Sequence, residues 1–119
     1  MKKLQNNFTT IEQSKRLLEL GVPADSADLF YSKFECETFV NRPALCYDKR
    51  YSDIVPYGYE KDYLPCWSVG RLIEIYHICV GPGCSFTFHV CFPNLMNEIM
   101  YKLGEANSNG WLNLKKLEE

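Results

Sequence analysis

The sequence predicts an α+β fold, a small antiparallel sheet with about four helices packed on it. Three observations predict it. Residues 95–103 carry apolar side chains at helical spacing, residues 85–91 alternate as a strand does, and the elements follow one another without the βαβ rhythm of a parallel sheet. The 119 residues fit a single domain, 1–119. An apolar share of 46% beside 24% charged side chains suffices for a core without metals or disulfides.

Taken in order, residues 1–8 are polar and are expected to fray. Thr9-Thr10-Ile11-Glu12 has the capping-box form, a hydroxyl at the cap and a carboxylate three residues on. Ile11 and Leu18 then stand one heptad apart, with Leu17 and Leu20 widening the apolar face, and Gly21 stops the helix. Val22-Pro23 turns the chain. Residues 24–31 read as a second, short helix, with Asp25 favourable in its first turn. Residues 34–47 lean to β, interrupted by an Asn41-Arg42-Pro43 turn. Residues 48–64 hold four tyrosines, a Pro-Tyr-Gly-Tyr stretch and many charges, and read as a long loop or an edge hairpin.

Ser68 caps the next helix. Trp67 just before it can pack on Leu72 as a hydrophobic staple, and Val69, Leu72, Ile73 and Tyr76 share a face. The β-branched residues in 70–80 leave a strand open as well. Gly81-Pro82-Gly83 breaks the chain. In the strand at 85–91, Phe86, Phe88 and Val90 face one way and Thr87, His89 and Cys91 the other. A helix at 94–103 presents Leu95, Met96, Ile99, Met100 and Leu103 as one stripe, closed by Gly104. Trp111, Leu112 and Leu114 anchor the tail, and Lys115 to Glu119 are expected to fray.

Charge bounds the partners. Thirteen basic against 15 acidic side chains leave a net −2, with no general attraction for a phosphate backbone, so nucleic acid is not an expected partner. The start Met1-Lys2-Lys3 is not followed by an apolar run, and no stretch reaches 18 apolar residues. The expectation is a cytoplasmic protein that does not enter the membrane. Six cysteines (36, 46, 66, 79, 84 and 91) make an even count, but a reducing cytoplasm keeps thiols free, and most read as small core hydrophobes.

One constellation invites chemistry: His77-x-Cys79-x4-Cys84-x4-His89-x-Cys91. Imidazole and thiolate are the ligands zinc prefers, yet no C-x2-C knuckle is present. On one strand Cys84 would fall opposite His89 and Cys91, and His77 would sit at a helix end. The sequence assigns no metal and no cofactor; His77, Cys79, Cys84, His89 and Cys91 are the candidates should a site exist. A cysteine nucleophile would need one histidine within reach, and nothing selects a pair. There is no P-loop, G-x-G-x-x-G or H-E-x-x-H, and no catalytic residue is assigned. Glu35 and Glu37 share a strand face, as a solubilising pair does. Tyrosines supply large contact area with a polar tip. Tyr51, Tyr57, Tyr59 and Tyr63, with Trp67 nearby, therefore either form a partner surface or cover the sheet and complete the core.

Three stretches carry a resemblance: Thr9-Thr10-Ile11-Glu12-Gln13-Ser14-Lys15-Arg16-Leu17-Leu18-Glu19-Leu20-Gly21 with Ala27-Asp28, Pro65-Cys66-Trp67-Ser68-Val69-Gly70-Arg71-Leu72, and the apolar helix near residue 95. About half of the chain thereby resembles small uncharacterised phage-like proteins encoded in prophages and mobile elements of gut anaerobic bacteria. Pro23, where that family more usually has a capping Ser, and the Cys/His-rich 77–91 segment depart from it. The family brings no activity, so no residue inherits a role. The resemblance implies a bacterial cytoplasm and a phage-like accessory gene. Together these readings lead to a non-enzymatic accessory protein that binds a protein partner or itself. The alternative is a small zinc-binding or cysteine-dependent protein using the 77–91 cluster.

Overall fold

The computed structural model describes residues 8–33, 42–81 and 95–118. The order of elements is α1 (Ile11–Leu20), a 3-10 turn (Ala24–Ser26), β1 (Leu29–Ser32), β2 (Ala44–Leu45), α2 (Tyr51–Ile54), a 3-10 turn (Glu60–Asp62), β3 (Tyr63–Cys66), α3 (Val69–Val80), α4 (Leu95–Ser108) and a 3-10 segment (Leu114–Glu118). The strands form an antiparallel sheet in the order β2-β1-β3. The α+β fold is therefore as the sequence predicts. The strand expected at 85–91, the β-leaning 34–41 and the Glu35/Glu37 pair lie outside the described residues.

α1 starts one residue later than the sequence suggests. Thr10, not Thr9, is the cap. Its hydroxyl accepts from the Gln13 amide at 3.1 Å, and the Gln13 side chain accepts from the Thr10 amide at 3.0 Å. Gln13 thus takes the place expected for Glu12, which leaves the Thr9 hydroxyl for tertiary contacts. Leu17 and Ser14 are buried, whereas Leu18 turns to solvent. Gly21 ends the helix at φ +99°, and the Val22 amide reaches back to the Leu17 carbonyl at 3.1 Å. A Cβ at Gly21 would stand 3.2 Å from Cδ1 of Leu114. Gly21→Ala is expected to lower the unfolding free energy by about 1–2 kcal/mol. It should move the urea midpoint without changing the slope; an unmoved midpoint would contradict this account of the turn.

Residues 24–31 are not a helix. One 3-10 turn is followed by β1, because Asp25, Ser26 and Asp28 spend their side chains on distant partners and Leu29 and Tyr31 alternate into an apolar face. The register pairs Leu29 with Leu45 and with Cys66, and Tyr31 with Leu64. Leu29, Tyr31, Leu64 and Cys66 pack with Phe8 and Ile11 as a small core. Pro65, which has no N–H for a ladder, sits on the outer strand β3. The stretch 48–64 is not one long loop: it holds α2, a turn and the start of β3.

The larger core lies between α1, α3 and α4. α3 settles 70–80 as helix. Ser68 caps it, accepting from the Arg71 amide at 3.1 Å, and Leu72, Ile75, Tyr76 and Cys79 are buried along one side. α4 buries Met96, Ile99, Leu103 and Ala106, and runs through Gly104 to Ser108. A glycine inside a helix costs about 1 kcal/mol but does not end it. Termination comes at Gly110, φ +76°, where the Trp111 amide bonds the Ala106 carbonyl at 2.8 Å. In the described part of the tail, Leu112, Leu114 and Leu117 pack on this core while Trp111 turns outward. Phe8 is likewise tied down, bridging to Ser68. Among the described residues no helix is long and apolar enough to cross a membrane.

Candidate functional site

Five residues, Ala24–Asp28, organise one side of the molecule. The Asp25 carboxylate accepts from the Ser52 amide at 2.8 Å and its hydroxyl at 3.0 Å, holding the first turn of α2. The Asp28 carboxylate accepts from the Ser68 amide at 2.9 Å and its hydroxyl at 2.5 Å, fixing the residue that caps α3. Ser26 accepts from the indole Nε1 of Trp67 at 3.0 Å through its hydroxyl and from Nε of Arg71 at 2.7 Å through its carbonyl. Two carboxylates and one serine thus set two helix N-termini and one buried indole. Beside them lies a polar cleft of about 500 Å³ reached by Asp28, Cys46, Tyr47, Lys49, Ser68 and Arg71. Of its charged groups, Arg71 donates to Glu74 at 2.9 Å and the Asp28 carboxylate is taken up by Ser68. Its described lining contains no histidine that could serve a nucleophile.

The same segment carries a second, apolar hollow at the β2 edge. The Cys46 amide donates to the Asp28 carbonyl at 3.0 Å, and the Lys49 amide closes a turn onto the Cys46 carbonyl at 3.1 Å. This turn stands Tyr47 at φ +59°, the one non-glycine residue with positive φ among the described residues. Phe30, Leu45, Tyr47 and Ile54 line a groove of about 350 Å³ together with Cys46, Asp48 and Lys49. The Phe30 ring leans on Tyr63, centroids 6.0 Å apart. Tyr47 is 85% exposed and Leu45 52%; further along the same stretch, Tyr57 is 97% exposed and Tyr59 58%. Single exposed apolar residues are ordinary, but this many within residues 45–59 are not.

The aromatic group that the sequence reads either as a partner surface or as cover for the core therefore divides. Tyr57 and Tyr59 are outside. Tyr51 and Tyr63 are half-buried, and burial pushes the Tyr51 phenol up to about 12. Trp67 is not a surface residue at all: it is fully buried in the main core, because its indole N–H finds Ser26 and its ring joins Leu17, Leu72 and Ile75. Leu45, Tyr47, Phe30 and Ile54 were not singled out by sequence. Leu45 and Tyr47 read as continuous strand, and the signal that separates them is the turn-prone charged run Asp48-Lys49-Arg50.

The Cys/His constellation is not assembled by the part of it that is described. His77 and Cys79 stand two residues apart on α3, a spacing that sends side chains to different sides of a helix. Cys79 packs in the core and His77 is exposed, its ring edge-on to Tyr76 at 6.2 Å. Cys84, His89 and Cys91 lie outside the described residues, and among the described residues no three His, Cys, Asp or Glu side chains are grouped to hold a metal.

The described thiols share one character. Burial, and then the Asp28 and Asp25 carboxylates, push the Cys46 thiol up to about 11. Burial pushes Cys66 up to about 11 against the opposing hydrogen bonds of Thr9 and Tyr31, and Cys79 is likewise raised by burial. Such thiols are poor nucleophiles. The sign for stability follows. The unfolded thiols ionise first, near 9.0, so the folded state keeps its full margin below that pH and loses it between pH 9.0 and about 11. We expect stability from urea titrations, followed by circular dichroism, to be level from pH 7 to 8.5 and to fall above it, by on the order of 2 kcal/mol for each of Cys46 and Cys66. A midpoint level to pH 11 would mean the thiols ionise freely in the folded protein. Comparison of the chain with protein-family models, with curated proteins and with solved structures finds no match in any of the three.

Proposed function

We propose that this protein is a non-enzymatic, phage-like accessory protein of a bacterial cytoplasm that acts by binding another protein or itself. The observation that carries this reading is the exposure of apolar and aromatic side chains within residues 45–59: Leu45 and Tyr47, which line the apolar groove, and Tyr57 and Tyr59 face water, in a stretch pinned by Asp25 and Asp28. Tyrosine on a rigid frame contributes contact area at low entropic cost. The raised thiols and the core position of Cys79 weigh against the cysteine-dependent alternative. The resemblance to prophage proteins supports the setting, and the stretches that carry it meet in space. Thr9 bonds Trp67, and Asp28 bonds Ser68.

The test is photo-crosslinking in expressing cells from a reactive residue placed at position 57, compared with one at Glu19, which is exposed on α1. A discrete protein adduct from position 57 and none from position 19 is expected. Equal labelling from both, or none from either, would remove the reading. Tyr57→Ser should weaken capture of that partner about tenfold, with less than about 0.5 kcal/mol effect on stability.

A further inference from the structure

We infer that the groove at β2 receives Tyr47 of a second copy of this chain, in a two-fold symmetric pair. This deepens the binding reading above and rests on it. The first observation is conformational. A bulky residue in the left-handed region is uncommon and is held there only by its surroundings. Here the hold comes from the Cys46–Asp28 and Lys49–Cys46 backbone bonds on either side, which present the Tyr47 ring at 85% exposure. Within one copy nothing covers that ring among the described residues. The second observation is the hollow that Tyr47 itself lines, whose other apolar lining residues, Phe30, Leu45 and Ile54, suit an aromatic ring.

The third is charge. Asp48 and Lys49 both line the hollow, both are exposed, and neither makes an ion pair among the described residues. A partner presenting one sign would satisfy one of them and repel the other. A two-fold axis at the hollow instead brings Asp48 to the Lys49 of the other copy and Lys49 to its Asp48, because in such an interface every contact occurs twice with roles exchanged. The net charge of −2 adds little repulsion between copies. Burying two tyrosines reciprocally between two ion pairs gives an apolar centre with a charged rim.

The experiment is sedimentation equilibrium of the whole chain from about 1 μM to about 1 mM. A monomer–dimer equilibrium is expected for the parent protein. Tyr47→Asn accepts the same backbone conformation, so the fold should be kept, yet dimerisation should weaken about tenfold or more. Asp48→Lys and Lys49→Asp should each weaken self-association through like-charge contacts, and an equimolar mixture of the two should recover dimer mass, since the unlike copies then face each other with opposite charges. That recovery distinguishes the two-fold pair from a general loss of stickiness. A parent protein monomeric throughout, a Tyr47→Asn protein that dimerises as before, or a mixture no better than its components would overturn the inference. If the parent stays monomeric while position 57 still crosslinks a different protein, the broader binding reading stands and only the second copy falls.

Discussion

Trp67→Ala is expected to lower the unfolding free energy by about 3–5 kcal/mol, the usual cost of removing a buried large aromatic. In a domain whose whole margin is about 5–15 kcal/mol, that leaves the protein marginal or unfolded. The ring is fully buried in the core that Leu17, Val22, Leu72 and Ile75 also fill, so its loss opens a cavity there. Trp67→Phe separates packing from hydrogen bonding. It keeps a ring but gives up the indole bond to Ser26, whose hydroxyl still donates to the Pro23 carbonyl at 2.6 Å, and should cost about 1–2 kcal/mol. Urea titrations of the three proteins test the order parent, Trp67→Phe, Trp67→Ala. An interface tryptophan would give the opposite signature, with stability within about 0.5 kcal/mol of the parent and binding lost. One titration therefore decides between the two roles the sequence leaves open for this residue, partner surface and core.

Local signals explain which parts of this fold are legible in sequence. α1 shows itself by its cap and α4 by its apolar spacing, since both depend on residues within three or four positions of each other, whereas α3 has a cap but its β-branched residues leave a strand open. β1 does not show itself in this way. Its four residues follow Asp25, Ser26 and Asp28, which look like the polar start of a helix, and what cancels that helix is the demand of Ser52, Trp67 and Ser68 more than twenty residues away. The same blindness applies to Thr9: two adjacent threonines can each cap α1, and only the tertiary use of the first assigns the cap to the second. For the candidate site, the sequence recognises that tyrosines crowd 51–63 but not which of them face out. Tyr47 is hidden from it altogether, because a left-handed tyrosine has no sequence signature of its own.

Thr9→Val, nearly equal in size to threonine, is expected to cost about 2–4 kcal/mol, more than Thr9→Ser at about 1 kcal/mol. The reason is the buried circuit closed by one hydroxyl. Thr9 Oγ1 accepts from the Trp67 amide at 3.1 Å, pairs with the Ser14 hydroxyl at 2.8 Å and donates to Sγ of Cys66 at 3.4 Å. The Thr9 carbonyl accepts from the Tyr31 hydroxyl at 2.8 Å and from the Cys66 thiol at 3.4 Å. Valine removes the acceptor and strands a backbone N–H and a serine hydroxyl in a dry interior, and each orphaned group costs more than a bond is worth when made. Serine keeps every partner and loses only a methyl group. Amide exchange at Trp67 gives a second readout that a simple packing defect would not move: protection should fall in Thr9→Val and persist in Thr9→Ser. Equal costs for the two variants would show that the methyl group, and not the hydroxyl, holds Thr9 in place. With the hydroxyl in command, one residue joins the entry of α1 to the end of β3, and through Trp67 and Ser68 to Ser26 and Asp28. The frame under the groove is then fixed by hydrogen bonds from three separated stretches of chain, and the exposed tyrosines carry little of its stability.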